Sequence, residues 1–142
     1  MADVTININF HSEGNLALAS CQSAILCTEI ARNEGYEVRL VAVLDRPDFL
    51  TKSLITESDF SWDDVYEFDY GDLGETRRAA AERCDSELIG FLDGDDLFGS
   101  SWISSALDVA NRQDDPYWVA HPKYAYYFHE SEFLTFGEES SA

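Results

Sequence analysis

The stretch Glu87-Leu88-Ile89-Gly90-Phe91-Leu92-Asp93-Gly94-Asp95-Asp96 decides the fold, because a short apolar run passes directly into a cluster of carboxylates. Residues 88–92 read as a buried strand, since they are apolar, few and bounded by polar residues. Asp93, Asp95 and Asp96 then put three acids within four residues, with Gly94 supplying backbone freedom for a tight turn. Oxygen-only ligands suit hard cations such as Mg2+ and Mn2+. A cation held there could bridge to a diphosphate and stabilise it as a leaving group. Carboxylates this close repel one another, so a bound cation would relieve the site. An acidic turn can equally cap a helix, here one beginning near Ser100; the position directly after an apolar strand favours the metal site. An EF-hand fits poorly, because Phe98 and Ser104 stand where that loop needs Gly and Glu.

Outward from this stretch, strands and helices alternate. Residues 4–10 alternate apolar and polar side chains and are rich in β-branched residues, which predicts a strand. A polar break at His11-Ser12-Glu13-Gly14-Asn15 precedes an expected helix over 16–33, stopped by Gly35. Residues 38–44 form a near-continuous apolar run, the signature of a strand covered on both faces, and it ends at Asp45-Arg46-Pro47-Asp48. A short helix is expected near 50–56, a strand at 65–68, and a helix over 73–84 whose Ala79-Ala80-Ala81 allows close packing. A helix over 100–112 and late strands at 118–120 and 124–128 complete the reading. The alternation implies right-handed βαβ units and a mostly parallel sheet flanked by helices. Ligands of such sheets sit at the carboxyl ends of the strands. Asp45 and the acids at 93–96 both fall there, so they should share one rim. One domain is expected over 1–137, with 138–142 as a polar tail.

Composition narrows the partners. Nine Lys and Arg stand against 28 Asp and Glu, a net charge of −19 with His neutral, so nucleic acid would be repelled. An anionic ligand would therefore need a divalent cation or local arginines. The three cysteines, Cys21, Cys27 and Cys84, have neither zinc spacing nor a disulfide framework and read as free thiols. No apolar run has membrane-spanning length, and the N-terminus does not resemble a secretory signal, so a cytoplasmic location is expected.

Four segments together resemble the donor-binding half of family 2 glycosyltransferases, which have the GT-A fold. They are the first strand and its polar loop (4–13), Val41-Ala42-Val43-Leu44-Asp45, Leu73-Gly74-Glu75-Thr76-Arg77-Arg78-Ala79-Ala80-Ala81, and the 87–96 stretch. The resemblance implies a Rossmann-like α/β sheet that binds a nucleotide-diphospho-sugar, commonly a UDP-sugar, with Mn2+ or Mg2+. Asp45 would bond the base, while Ser12 and Glu13 would line the base and ribose pocket. Arg77 would approach the donor or tie the acidic loop in place. Asp93 would contact the ribose or sugar, with Gly94 in the same turn, and Asp95 together with Asp96 would hold the metal.

This sequence departs from the family pattern in three places. Only the first acid of the family's Asp-Asp-Gly-Ser is matched, at Asp45, and Arg77-Arg78 stands where Arg-Asn is expected. No segment corresponds to the acceptor-binding half that supplies the general base, so that base is unidentified and the acceptor unknown. The expectation is an inverting sugar transfer to a hydroxyl, completed by a missing acceptor domain or in a homodimer. Two other readings stay open. One is a non-catalytic nucleotide- or metal-binding or interaction module of the same fold. The other is a metal-dependent phosphate-processing or nucleotidyl-transfer enzyme, which fits less well because the first strand ends in Asn9-Phe10-His11 and its loop has no Lys or Arg.

Overall fold

The computed structural model describes residues 1–115, 117–129 and 132–138. The chain forms two compact units, Met1–Leu107 and Asp108–Ala142. In the first, β1 (Val4–Phe10) and β2 (Val38–Asp45) are nearly all β-branched or aliphatic along one face, and they pair in parallel from Val4↔Val38 to Phe10↔Leu44. β3 (Asp64–Phe68) adds to β2, and β4 (Leu88–Asp93) adds to the other side of β1. The order is β3-β2-β1-β4, all parallel. Parallel neighbours require crossovers, and three helices supply them: α1 (Leu16–Asn33), α2 (Phe49–Glu57) and α3 (Leu73–Ala81).

Two-residue periodicity divides the strands between two apolar layers. Val4, Ile6, Ile8 and Phe10 share one face with Leu40, Ala42, Leu44 and Leu92. That face is covered by Ala17, Cys21, Ala24, Cys27 and Ala31 of α1, by Ile55 of α2, and by Ile103 and Leu107 of α4 (Trp102–Ala110). Small residues on α1 let the helix approach the sheet closely. The opposite face carries Val41 and Val43 against Ala80 of α3, with Tyr66 and Phe68 beside them. The run Ala79-Ala80 is buried there, as its composition suggests.

β1 differs from the alternating pattern's simplest meaning. Polar residues that alternate with apolar ones ordinarily face water, yet Thr5, Asn7 and Asn9 are all buried. β1 lies between two strands and its second face lies beneath the α3 layer, so both of its faces leave solvent.

The second unit holds an antiparallel pair, β5 (Tyr124–His129) with β6 (Glu132–Glu138), with an irregularity between Tyr124 and Ala125. β6 was not foreseen from the sequence, and residues 118–120 form no strand. Val119 is 87% exposed, and strand propensity without a neighbouring strand to pair with does not make a strand. Beyond Glu138 the expected polar tail lies outside the described residues. Among the described residues no helix is long and apolar enough to cross a membrane.

Candidate functional site

The carboxyl ends of β1, β2 and β4 open onto a cleft of about 300 Å³. Asn9, Phe10, His11 and Glu13 line it from β1 and its loop, and Asp45 lines it from β2. Gly71, Leu73 and Thr76 contribute from the α3 entrance, and Asp93 and Asp95 from the end of β4. The sheet register explains the convergence: Asn9 is level with Asp93 on one side and with Val43 on the other, two residues before Asp45. The shared rim expected for Asp45 and the acidic turn is therefore present.

Asp45 is buried, and both its oxygens are engaged. The N–H of Tyr70 donates to Oδ1 at 2.8 Å, and that of Gly71 donates to Oδ1 at 3.2 Å and to Oδ2 at 2.9 Å. Burial pushes this carboxyl's pKa up, but the Gly71 and Tyr70 N–H groups, the Thr76 hydroxyl and the Arg46 charge outweigh it and hold the pKa below the ordinary value. Asp45 thus pins the loop between β3 and α3. That loop favours glycine at Gly71 because its φ is +68°, a conformation L side chains rarely adopt. Arg46 itself adopts φ 47°, a left-handed conformation uncommon outside glycine, while its Nε donates to Asp69 Oδ1 at 2.6 Å. Asp48 belongs to the scaffold, since its side chain caps α2 by accepting from Thr51 N–H at 2.7 Å.

The loop after β1 is tied to the same corner. His11 Nδ1 bonds the Asp45 carbonyl at 2.7 Å; a carbonyl only accepts, so Nδ1 carries the proton. Glu13 Oε2 accepts from the His11 N–H at 2.6 Å, and Gly14 N–H donates to Thr51 Oγ1 at 2.9 Å. Glu13 therefore lines the cleft while bracing its own loop. Ser12 is exposed and does not line the cleft.

On the opposite side Arg77 Nη2 donates to Asp93 Oδ1 at 2.6 Å, with the guanidinium over the Phe91 ring. The bond joins α3 to the end of β4. Gly94 follows because nothing larger fits: a Cβ would lie 2.4 Å from Phe10 Cδ1 and 2.8 Å from the Asn9 carbonyl, which already accepts the Gly94 N–H. Asp95 is exposed at the cleft and has no hydrogen-bond partner among the described residues. Asp96 does not line the cleft; its N–H donates to the Asp93 carbonyl, and its own carbonyl accepts the Ser20 hydroxyl.

A hard cation can be fitted to this donor set in one way. Among the described residues no three His, Cys, Asp or Glu side chains group closely enough to hold an ion by themselves. Asp95 offers a whole carboxylate and Asp93 one with an oxygen already on Arg77. One or two carboxylates completed by phosphate oxygens and water is a coordination that Mg2+ commonly accepts. A cation here would therefore have to complete its coordination with phosphate or water oxygens.

Asn9, His11, Leu73 and Thr76 also line the cleft but carry no sequence motif. Their signal is positional only: each becomes visible once strand register and the helix entrance are known. The cysteines are free, with Cys21 and Cys27 buried, and burial pushes the Cys21 thiol's pKa up to about 12.

No family model matches the sequence, and no curated protein matches it. Among solved structures, the chain is similar to S. aureus TarS 1-349, with a TM-score of 0.62 and 15% identity, over 78% of this chain. The matched region spans 32% of that chain. At this identity the likeness is one of fold, and the fold of the chain is a GT-A-like, Rossmann-type α/β arrangement around a four-stranded parallel sheet.

Proposed function

We propose that the cleft binds a nucleotide-diphospho-sugar, with UDP as its nucleotide part, together with Mn2+ or Mg2+, and that the chain is the donor-binding part of a glycosyltransferase-like protein. The observation that carries this reading is the meeting of Asp93 and Asp95 with Asp45 on one rim of a GT-A-like sheet. Among the described residues the cleft is lined by four carboxylates (Glu13, Asp45, Asp93 and Asp95) and by no Lys or Arg. A diphosphate entering such a field needs a cation to offset the repulsion. Asp95 would hold that cation, with Asp93 beside it facing the ribose or sugar. Asp96, which does not line the cleft, is left out of the coordination. Asp45 would act on the base through the 70–71 turn it holds, whose Gly71 lines the cleft.

When bound, the cation would neutralise the diphosphate as it leaves the sugar. The chain's part is to seat the donor: His11 and Glu13 brace the first loop, Asp45 fixes the 70–71 turn, and Arg77 holds Asp93 in place. Transfer of the sugar to an acceptor hydroxyl, with inversion, belongs to the same proposal, as does the acceptor itself. The test is thermal melting with UDP and Mn2+. A ligand at a hundred times its dissociation constant stabilises the folded state by about 2.7 kcal/mol, so the melting temperature should rise by several degrees with both and by less with either alone. An unchanged melting curve at millimolar UDP and Mn2+ contradicts the proposal.

A further inference from the structure

Asn9 is 6% exposed, and both polar atoms of its carboxamide, Oδ1 and Nδ2, are buried without a hydrogen-bond partner. Unpaired buried amides are costly, and an apolar residue would serve a plain strand position better. Asn9 is also a cleft-lining residue at the carboxyl end of the strand between β2 and β4, where ligands of parallel sheets sit. Its register neighbours Asp93 and Val43 place its side chain on the face that α3 covers, the face from which Arg77 reaches Asp93. The neighbouring Thr5 Oγ1 and Asn7 Oδ1 are buried and unpaired too, but those residues lie deeper along β1 and do not line the cleft.

We infer that Asn9 is a ligand-binding residue whose carboxamide pairs with the ribose hydroxyls of the nucleotide, directly or through one held water. This rests on the nucleotide reading above and adds a recognition element to it. The assignment to ribose follows from position. Asn9 stands between Asp45, on the base side, and the Asp93–Asp95 turn, on the diphosphate side, so the middle of the ligand passes over it. A carboxamide donates through Nδ2 and accepts through Oδ1, which complements a vicinal diol whose hydroxyls do both. Among the described residues the chain itself supplies the amide with no partner, and the ribose hydroxyls would supply one.

The test uses Asn9→Leu, which keeps the branched shape at Cγ and removes both polar atoms. Calorimetric titrations with Mn2+ compare UDP with 2′,3′-dideoxy-UDP, and the melting temperature of the free protein is read alongside. The expected result is a loss of UDP affinity of about tenfold or more, the scale of one lost hydrogen-bonded hydroxyl contact. Dideoxy-UDP should weaken by less than about threefold, and the free variant should melt at or above the wild-type temperature. Equal losses for the two nucleotides, unchanged UDP affinity, or a lowered melting temperature each overturn the inference, the last by showing the amide to be paired within the fold. If wild-type protein binds UDP and Asn9→Leu binds it equally well, the role of Asn9 fails alone. If wild-type protein binds neither nucleotide with Mn2+, the nucleotide reading fails and this inference with it.

Discussion

Arg77 Nη2 and Asp93 Oδ1 lie 2.6 Å apart, a charged bond that joins the middle of α3 to the last residue of β4. One half of the candidate cation site is thus already neutralised by the protein's own cation. If a cation binds here as proposed, Arg77 and that cation would compete for the same carboxylate.

That competition has a measurable sign. In Arg77→Ala the charge on Asp93 is uncompensated, so Mn2+ without nucleotide should bind more tightly. Both side chains are partly exposed, so the gain is small, about two- to fivefold. Loss of the electron paramagnetic resonance signal of free hydrated Mn2+ reports it. Equal or weaker Mn2+ binding in the variant would show that Arg77 and the ion do not share Asp93.

Asp45 makes a prediction about stability and its pH dependence. Asp45→Ala removes the acceptor of two partly buried main-chain bonds, from Tyr70 and Gly71 N–H, a loss of about 1 kcal/mol in urea unfolding. The native pKa of Asp45 lies below its ordinary value. A depressed pKa contributes stability that is complete above the unfolded-state value, about 3.9, and is lost as pH falls through the native one. The stability difference between wild type and Asp45→Asn should therefore be widest near neutrality and narrow below about pH 4. A difference that stays constant down to pH 3 would show that the carboxylate's charge has no part in holding the turn.

Gly94 is the steric counterpart. In Gly94→Ala the new methyl meets the Phe10 ring and the Asn9 carbonyl at distances atoms do not tolerate, so the β4 turn must shift. Overpacking of this kind costs about 1–3 kcal/mol, and the shift also moves Asp93 and Asp95. Chemical unfolding with a parallel UDP titration should show both effects. A stable variant with unchanged affinity would mean that the turn's position does not matter to the ligand.

The architecture was largely legible because its determinants are local. The apolar run 38–44, the acids that follow strands, and the Ala79-Ala80 packing surface are all signals carried by neighbouring residues. α1 begins and ends at Leu16 and Asn33 as its pattern predicts. The rim shared by Asp45 and Asp93 follows from topology and needs no coordinates. Other features depend on distant partners. That Asp45 spends its carboxylate on the 70–71 turn is set by residues 25 and 26 positions away. That Asn9 is buried rather than solvated depends on β1 lying between two strands beneath a helix. The absence of a strand at 118–120 and the presence of β6 likewise turn on which segments find a partner, which propensity alone does not encode.

Asp95 is the residue on which the account turns, since its carboxylate meets the cleft and has no partner within the described chain. The most direct measurement is a calorimetric titration of UDP into wild-type protein and Asp95→Ala, each with Mn2+ and with the metal chelated. Wild-type protein should bind with Mn2+, weakened at least about tenfold by chelation or by Asp95→Ala, with the variant's melting temperature unchanged. UDP binding that is equally strong without metal and in Asp95→Ala would contradict it, and so would no binding at all by the folded wild-type protein.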